Sequence, residues 1–236
     1  MSTALAKAEF NTLGDLLASL GGISPDRVCW SPRPGTATVR DVVRLRDTSK
    51  RLCELVNGTL VEKTVGAKES FVAVRVSTLL CMHSESRGNL GMVLGADGMM
   101  ELMPDLVRIP DVSFTSWDRV PGRVVPDEPV PELVPDLAVE VLSESNTREE
   151  MRQKLDDYFE AGVKLVWYID PRKRTARVFT SPDDVTELGE ADTLDGGNVL
   201  PGFSVAVARL FDQLAPAAKP AKPPKGTGGK KPKKRK

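Results

Sequence analysis

The sequence contains no run of eighteen apolar residues, which excludes an expected transmembrane helix. Its first twenty residues lack the basic start, apolar centre and small-residue cleavage site of a secretory signal. Cysteine is scarce: Cys29, Cys53 and Cys81 are odd in number, far apart and in no CxxC pair. That argues against both a disulfide framework and a zinc knuckle, and fits a reducing, cytoplasmic location. A single histidine, His83, leaves no material for most catalytic triads or for a histidine-rich metal site. A Walker loop, a GxGxxG turn after a strand and a GxSxG elbow are also missing, and no internal repeat is found.

What is present is charge, unevenly placed. The formal net charge is zero, from 33 basic and 33 acidic residues. Residues 216–236 hold nine of the basic ones and no acid, which leaves the body with 24 against 33, a net −9. Lys, Pro and Gly offer almost nothing apolar to bury, so a tail over 215–236 is expected to be disordered. Its chemistry suits a polyanion such as nucleic acid, although a solubilising or targeting tail has the same composition.

Along the body, apolar residues at helical spacing predict a helix over 10–20, stopped by Gly21-Gly22, within an N-terminal extension covering 1–37. Thr38 caps a predicted short helix over about 38–46. Asn57-Gly58 between two short alternating runs predicts a hairpin, since both residues tolerate positive φ. Residues 67–87 read as a helix, with β-branched content that leaves a strand open for the first half, and Asp97-Gly98 marks a second hairpin candidate. The segment LVRIPDVSFTS is extended because Pro110 forces Ile109 out of helical space. A proline-rich loop over 119–135 leads to a buried strand, DLAVEVLS at 136–143. A helix follows, with a Thr147-x-x-Glu150 capping box and Gly162 at its end. A strand pair turns across Asp170-Pro171, and a last strand with a short helix closes the body by Leu214. The pattern indicates one α/β domain, residues 38–214, with a mixed, largely antiparallel sheet flanked by helices.

Three residues stand out chemically. Glu140 is the lone carboxylate in Leu137–Leu142, a run apolar enough for a strand buried on both faces. Unpaired there, its charge would cost several kcal/mol, so it needs a metal, a cation or a raised pKa. A structural ion pair with a lysine or arginine would serve as well. Asp111 follows Pro110 in an extended apolar segment, where an acid marks either a turn or a function. Two carboxylates on neighbouring strands are the hard oxygen ligands that magnesium prefers. Lys154 lies at the edge of the apolar face formed by Met151, Leu155, Tyr158 and Phe159. From there it either snorkels outward or reaches Glu140 on the preceding strand. Two carboxylates, a divalent cation and a lysine suit phosphodiester hydrolysis.

With these residues in view, the chain resembles the Uma2-type restriction endonucleases of the PD-(D/E)XK nuclease superfamily. The similarity is carried by TVRDVVRL near 38–45, ELVNGTLVE at 54–62, RIPDVSF at 108–114, PDLAVEVLS at 135–143 and KLDDYFEAGVKLVWYIDP at 154–171. Their order spans about residues 38–210. The resemblance implies a restriction-endonuclease-like core and a Mg²⁺-dependent DNA endonuclease, with Mn²⁺ as an alternative ion. It implies Asp111 as the motif's aspartate, Glu140 as its second acid and Lys154 as a lysine moved onto the following helix, since Leu142 stands where the superfamily usually has it. Glu54 is implied as a further metal ligand or a supporting acid, with Ser143 and Tyr158 supporting the ligands. The chain departs from the family pattern at Gly58-Thr59-Leu60, which lacks a carboxylate, and at Glu144, an added acid. Glu69-Ser70 stand where the family often has a histidine, and His83, further along, reads as a satisfied structural residue.

A different class of function also fits the sequence: a non-catalytic module of the same fold that holds nucleic acid with help from the basic tail. A third is an assembly protein, with a homodimer as its commonest form, and a dimer is compatible with the endonuclease as well.

Overall fold

A computed structural model describes residues 10–64 and 66–214. The basic tail expected over 215–236 lies outside the described residues. The chain begins with α1 (Leu13–Ser19), whose capping box joins Thr12 and Asp15 and so starts the helix three residues later than the apolar spacing alone suggests. Then come β1 (Val28–Cys29), α2 (Val39–Ser49, with the expected Thr38 cap), β2 (Cys53–Val56) and β3 (Thr59–Glu62). The β2–β3 turn is the Asn57-Gly58 hairpin, with φ of 49° and 64°. The long helix α3 (Ala67–Ser86) follows, then β4 (Gly91–Leu94), β5 (Met100–Met103), β6 (Leu106–Arg108) and β7 (Val112–Ser116). After the proline-rich loop come β8 (Leu137–Val141), α4 (Arg148–Ala161), β9 (Leu165–Asp170) and β10 (Thr175–Phe179). The last strands are β11 (Val185–Leu188), β12 (Thr193–Gly196) and β13 (Leu200–Ala206).

The strands form three sheets, ordered β1-β3-β2-β6-β5, β11-β10-β9-β8-β7-β4 and β12-β13. Every named strand pair among the described residues is antiparallel except β8–β9, which α4 connects. The architecture is thus mixed α/β with largely antiparallel sheets. Asp97-Gly98 does not close a hairpin, contrary to the sequence expectation. The two flanking strands part into different sheets: β4 pairs with β7, and β5 pairs with β6 through a turn in which Asp105 has φ 60°. Two short apolar runs around Asp-Gly are compatible with either outcome; here β5 closes a tight hairpin with the strand just after it, and β4 is left to pair with the more distant β7.

Alternation along β8 and β9 sets the site. Leu137, Val139, Val141, Leu165, Trp167 and Ile169 point into the core shared with Val72, Val76 and Leu80 of α3. Ala138, Val166 and Tyr168 point the other way, toward Met151, Leu155 and Tyr158 of α4. Glu140 is two residues from Ala138 and therefore faces α4. Lys154 and Tyr158, four apart, occupy one stripe of that helix. Leu16, Leu20, Ile23 and Val28 from the segment before the first family-like element pack into this same core.

At the start of α4 the Thr147 side chain accepts from the Glu150 amide at 2.9 Å, as the capping box predicts. Its reciprocal half is not formed, because the Glu150 carboxylate turns instead to Arg27 and Asn146. Gly162 ends the helix in the left-handed region, at φ 96°.

Candidate active site

Strand alternation brings the two carboxylates together without any long reach. Asp111 precedes β7, and its amide donates to Val139 O of β8 at 2.9 Å. Its Oδ2 accepts from the Val141 amide at 2.7 Å, while Oδ1 lies 2.9 Å from Lys63 Nζ. Glu140, one residue from that amide, is 5% exposed. Both of its donors use one oxygen: Lys154 Nζ at 3.2 Å and Tyr158 Oη at 2.6 Å reach Oε1, leaving Oε2 without a hydrogen bond among the described residues. Burial raises the Glu140 carboxyl above the usual range; Lys154 opposes the shift and the charge of Asp111 adds to it. Lys154 is shared with Glu54, and around the cavity four carboxylates, Glu54, Glu69, Asp111 and Glu140, face three cations, Arg27, Lys63 and Lys154.

Lys154 is buried and does not snorkel outward. It is shared between Glu140 and Glu54, the latter at 2.9 Å. Burial alone would lower its pKa, but those two carboxylates hold it above the ordinary lysine value, so the ammonium is kept charged. Glu54, on β2, is saturated: Oε2 takes Arg108 Nη1 at 2.7 Å, and Oε1 takes Lys154 and the Ile109 amide. Burial would raise its carboxyl, yet Lys154 and Arg108 hold it down at about 2. Arg108 Nε also meets Asp157 of α4 at 2.9 Å. Tyr158 is fully buried, and burial together with Glu140 pushes its phenol well above the ordinary value, so it stays a donor.

Asp111, Glu140, Lys154, Glu54 and Lys63 line one small cavity of about 110 Å³, which also receives Arg27, Glu69, Ser143 and Asn146. Of the residues singled out from the sequence, Asp111, Glu140, Lys154, Glu54 and Ser143 line it, and Tyr158 supports it from behind. Ser143 does not touch the carboxylates; its amide and hydroxyl both go to Asn146 Oδ1, at 2.9 and 3.0 Å. His83 lies elsewhere on α3, edge-on to Phe203 at 5.4 Å. Its buried Nε2 has no partner, which corrects the expectation of a satisfied structural histidine.

Sequence reasoning missed Lys63, Arg108 and Arg27, because lysine and arginine beside strands are ordinary surface residues until the strands pair. It recorded Glu69 only as a departure from the family pattern. That carboxylate folds back over Gly66, into space a Cβ there would fill, and so reaches the cavity.

The donor set suits a hard divalent cation. Asp111 and Glu140 offer carboxylate oxygens from adjacent elements, one of them free, in a place of excess negative charge. Among the described residues no three His, Cys, Asp or Glu side chains are gathered as a ready-made cluster. A pair of carboxylates is what magnesium needs when water and substrate phosphate complete its shell.

The fold has a solved counterpart. A crystal structure titled "putative nuclease belonging to DUF820", from Anabaena variabilis ATCC 29413, superposes with a TM-score of 0.64. It is 16% identical, and the match covers 74% of this chain and 97% of that one. No protein of curated function matches. Residues 39–208 match the model of the Uma2 family, described as "Putative restriction endonuclease", and the chain belongs to that family.

Proposed function

We propose that this protein is an endonuclease that hydrolyses DNA phosphodiester bonds with Mg²⁺, Mn²⁺ being the alternative ion. One observation carries the reading: a buried glutamate with a free oxygen, an aspartate and a charged lysine share a cavity sized for a phosphoryl group. In hydrolysis, water oxygen bonds to phosphorus as one ester P–O bond breaks, giving a phosphate monoester and a hydroxyl. A divalent cation, when bound, polarises a phosphoryl oxygen and lowers the pKa of water. Asp111 and Glu140 would hold it. Lys154, fixed by two carboxylates, presents a permanent positive charge to the phosphate as negative charge develops there. Tyr158 fixes the Glu140 carboxylate, and Ser143 fixes the loop after β8 through Asn146. Of the two roles implied for Glu54, we assign the supporting one, since its oxygens are taken by Arg108 and Lys154.

DNA as substrate is supported by a groove of about 840 Å³ that shares Ser143 and Asn146 with the cavity. Arg148, Arg152, Arg172, Lys173 and Arg177 line it against three acids, Asp170, Asp183 and Glu187. On a body of net negative charge this is the surface suited to a phosphate backbone, with the basic residues of 216–236 adding affinity. A second cleft, of about 700 Å³, contains Asp105, Asp156, Asp157 and Glu160 and would repel a polyanion.

The test incubates the full chain with single- and double-stranded DNA and Mg²⁺ or Mn²⁺. Cleavage should fall at least about 10²-fold in Glu140→Ala and Lys154→Ala. Absence of cleavage, or cleavage indifferent to both substitutions, refutes the proposal. Salt-sensitive binding without cleavage would instead establish the non-catalytic module.

A further inference from the structure

Arg27 is the only arginine lining the cavity, and it comes from outside the family-matched stretch 39–208. It ends a short 3-10 turn, Pro25–Arg27, just before β1. Its side chain is 8% exposed. One edge of the guanidinium is used structurally: Nε donates to Glu62 O at 3.1 Å and Nη2 meets Glu150 Oε1 at 2.8 Å. Nη1 is buried and has no hydrogen-bond partner among the described residues. A charged donor left dry is costly, so an orphan on a side chain that lines a polar cavity points to a missing acceptor.

The cavity's own acids do not supply that acceptor. None of the four lining carboxylates accepts from Nη1: Asp111 is held by Lys63 and the Val141 amide, Glu54 by Arg108 and Lys154, Glu140 by Lys154 and Tyr158, and Glu69 folds back over Gly66. The segment carrying Arg27 is also fixed in place. Gly21, at φ 74°, lies so close to the Glu150 backbone that a Cβ would collide with it, and its carbonyl accepts from Thr147 Oγ1 at 2.5 Å. The Glu150 carboxylate is oriented in turn by Asn146 Nδ2 at 3.3 Å, and Asn146 is the residue held by Ser143. A chain of polar contacts thus runs from the loop after β8 to the guanidinium.

We infer that Arg27 Nη1 donates to a non-bridging oxygen of the phosphodiester bound in this cavity, making the N-terminal segment part of the substrate site. Guanidinium is the side chain whose planar donors match phosphate oxygens, and of the three cations lining the cavity Lys63 and Lys154 are each taken by its carboxylates, which leaves Nη1 as the charged donor with nothing to meet. The inference rests on the phosphodiester reading of the cavity and extends it to a residue that reading does not need.

The test measures binding, by calorimetry, of a thymidine dinucleotide carrying one phosphodiester and of its uncharged methylphosphonate counterpart. The full chain is used, with Ca²⁺ supplying the divalent charge. Arg27→Gln should weaken phosphodiester binding about tenfold, the worth of one charged hydrogen bond, and change methylphosphonate binding less than twofold. Arg27→Lys should recover part of the loss, and it gives the reading alone if the glutamine variant does not fold. Equal weakening for both ligands, unchanged binding in both variants, or no preference for the charged ligand in the unaltered chain each overturn the inference. Cleavage does not enter. A chain that binds in this Arg27-dependent way yet cuts nothing refutes the endonuclease, not the contact; one that cuts while its Arg27 variants bind normally does the reverse.

Discussion

Replacing Lys154 with methionine keeps most of the side-chain volume and removes the ammonium that two buried carboxylates share. Glu54 retains Arg108 at 2.7 Å and the Ile109 amide at 3.3 Å, so its charge remains covered. Glu140 retains only the Tyr158 hydroxyl as a direct donor. Removing one partner of a buried ion pair costs about 3–5 kcal/mol, because the other charge stays behind. With Glu54 still satisfied, the lower end applies, about 3 kcal/mol, or a fall in Tm of roughly 6–12 °C for a domain of this size. Glu140→Gln should cost less, since Lys154 keeps its 2.9 Å contact with Glu54. The double variant should therefore be more stable than Lys154→Met alone, by roughly 1–3 kcal/mol of coupling. Urea unfolding in EDTA, followed by circular dichroism, measures all three variants without reference to activity. If Lys154→Met costs less than about 1 kcal/mol, or if Glu140→Gln fails to rescue it, the charge accounting proposed for this site is wrong.

Three further outcomes follow from named contacts. Tyr158→Phe removes the 2.6 Å bond to Glu140 and should destabilise the fold by about 1–2 kcal/mol in urea titration, with no large change in far-ultraviolet spectrum. Thr147→Ala removes the α4 cap and should cost about 1 kcal/mol. Because Thr147 also holds Gly21 O, amide exchange should quicken across Leu13–Gly22 more than in the central strands. Asp136 gives a pH signature. Burial would raise its carboxyl, but Lys164, the Ser116 amide and Arg119 hold it below the usual range. Its contribution is thus present above the unfolded carboxylate pKa of about 3.9 and fades as pH falls through the lower folded value. The stability gap between the unaltered chain and Asp136→Asn should be full at pH 6 and shrink below about pH 4; a gap that widens in acid would reverse the sign.

Under the proposed function, the placement of charge reconciles a body of net negative charge with a polyanionic substrate. The site's excess negative charge is confined to a small cavity, where a cation is the natural counterpart, while the adjoining groove carries the cationic side chains. Geometry separates the two roles: strands β7 and β8 bring the acids, and the segments around α4 and β9–β10 bring most of the bases.

Local sequence determined every feature that depends on neighbours along the chain. Thr38 and Thr147 as caps, Gly162 as a helix stop and Asn57-Gly58 as a hairpin all follow from the conformations those residues favour. The anomaly of Glu140 was likewise legible, because a lone acid in an apolar run has to be compensated somewhere. The sequence also offered Lys154 as one of several ways to compensate it, and the fold takes that one, with the Tyr158 hydroxyl beside it; the cations that hold the neighbouring acids were decided only by tertiary structure. Lys63, Arg108 and Arg27 reach the site from elements remote in sequence, and their positions depend on how strands pair, which short-range propensity leaves open. The same applies to Asp97-Gly98, where a turn of hairpin type joins two different sheets because each flanking strand finds a better partner further along the chain.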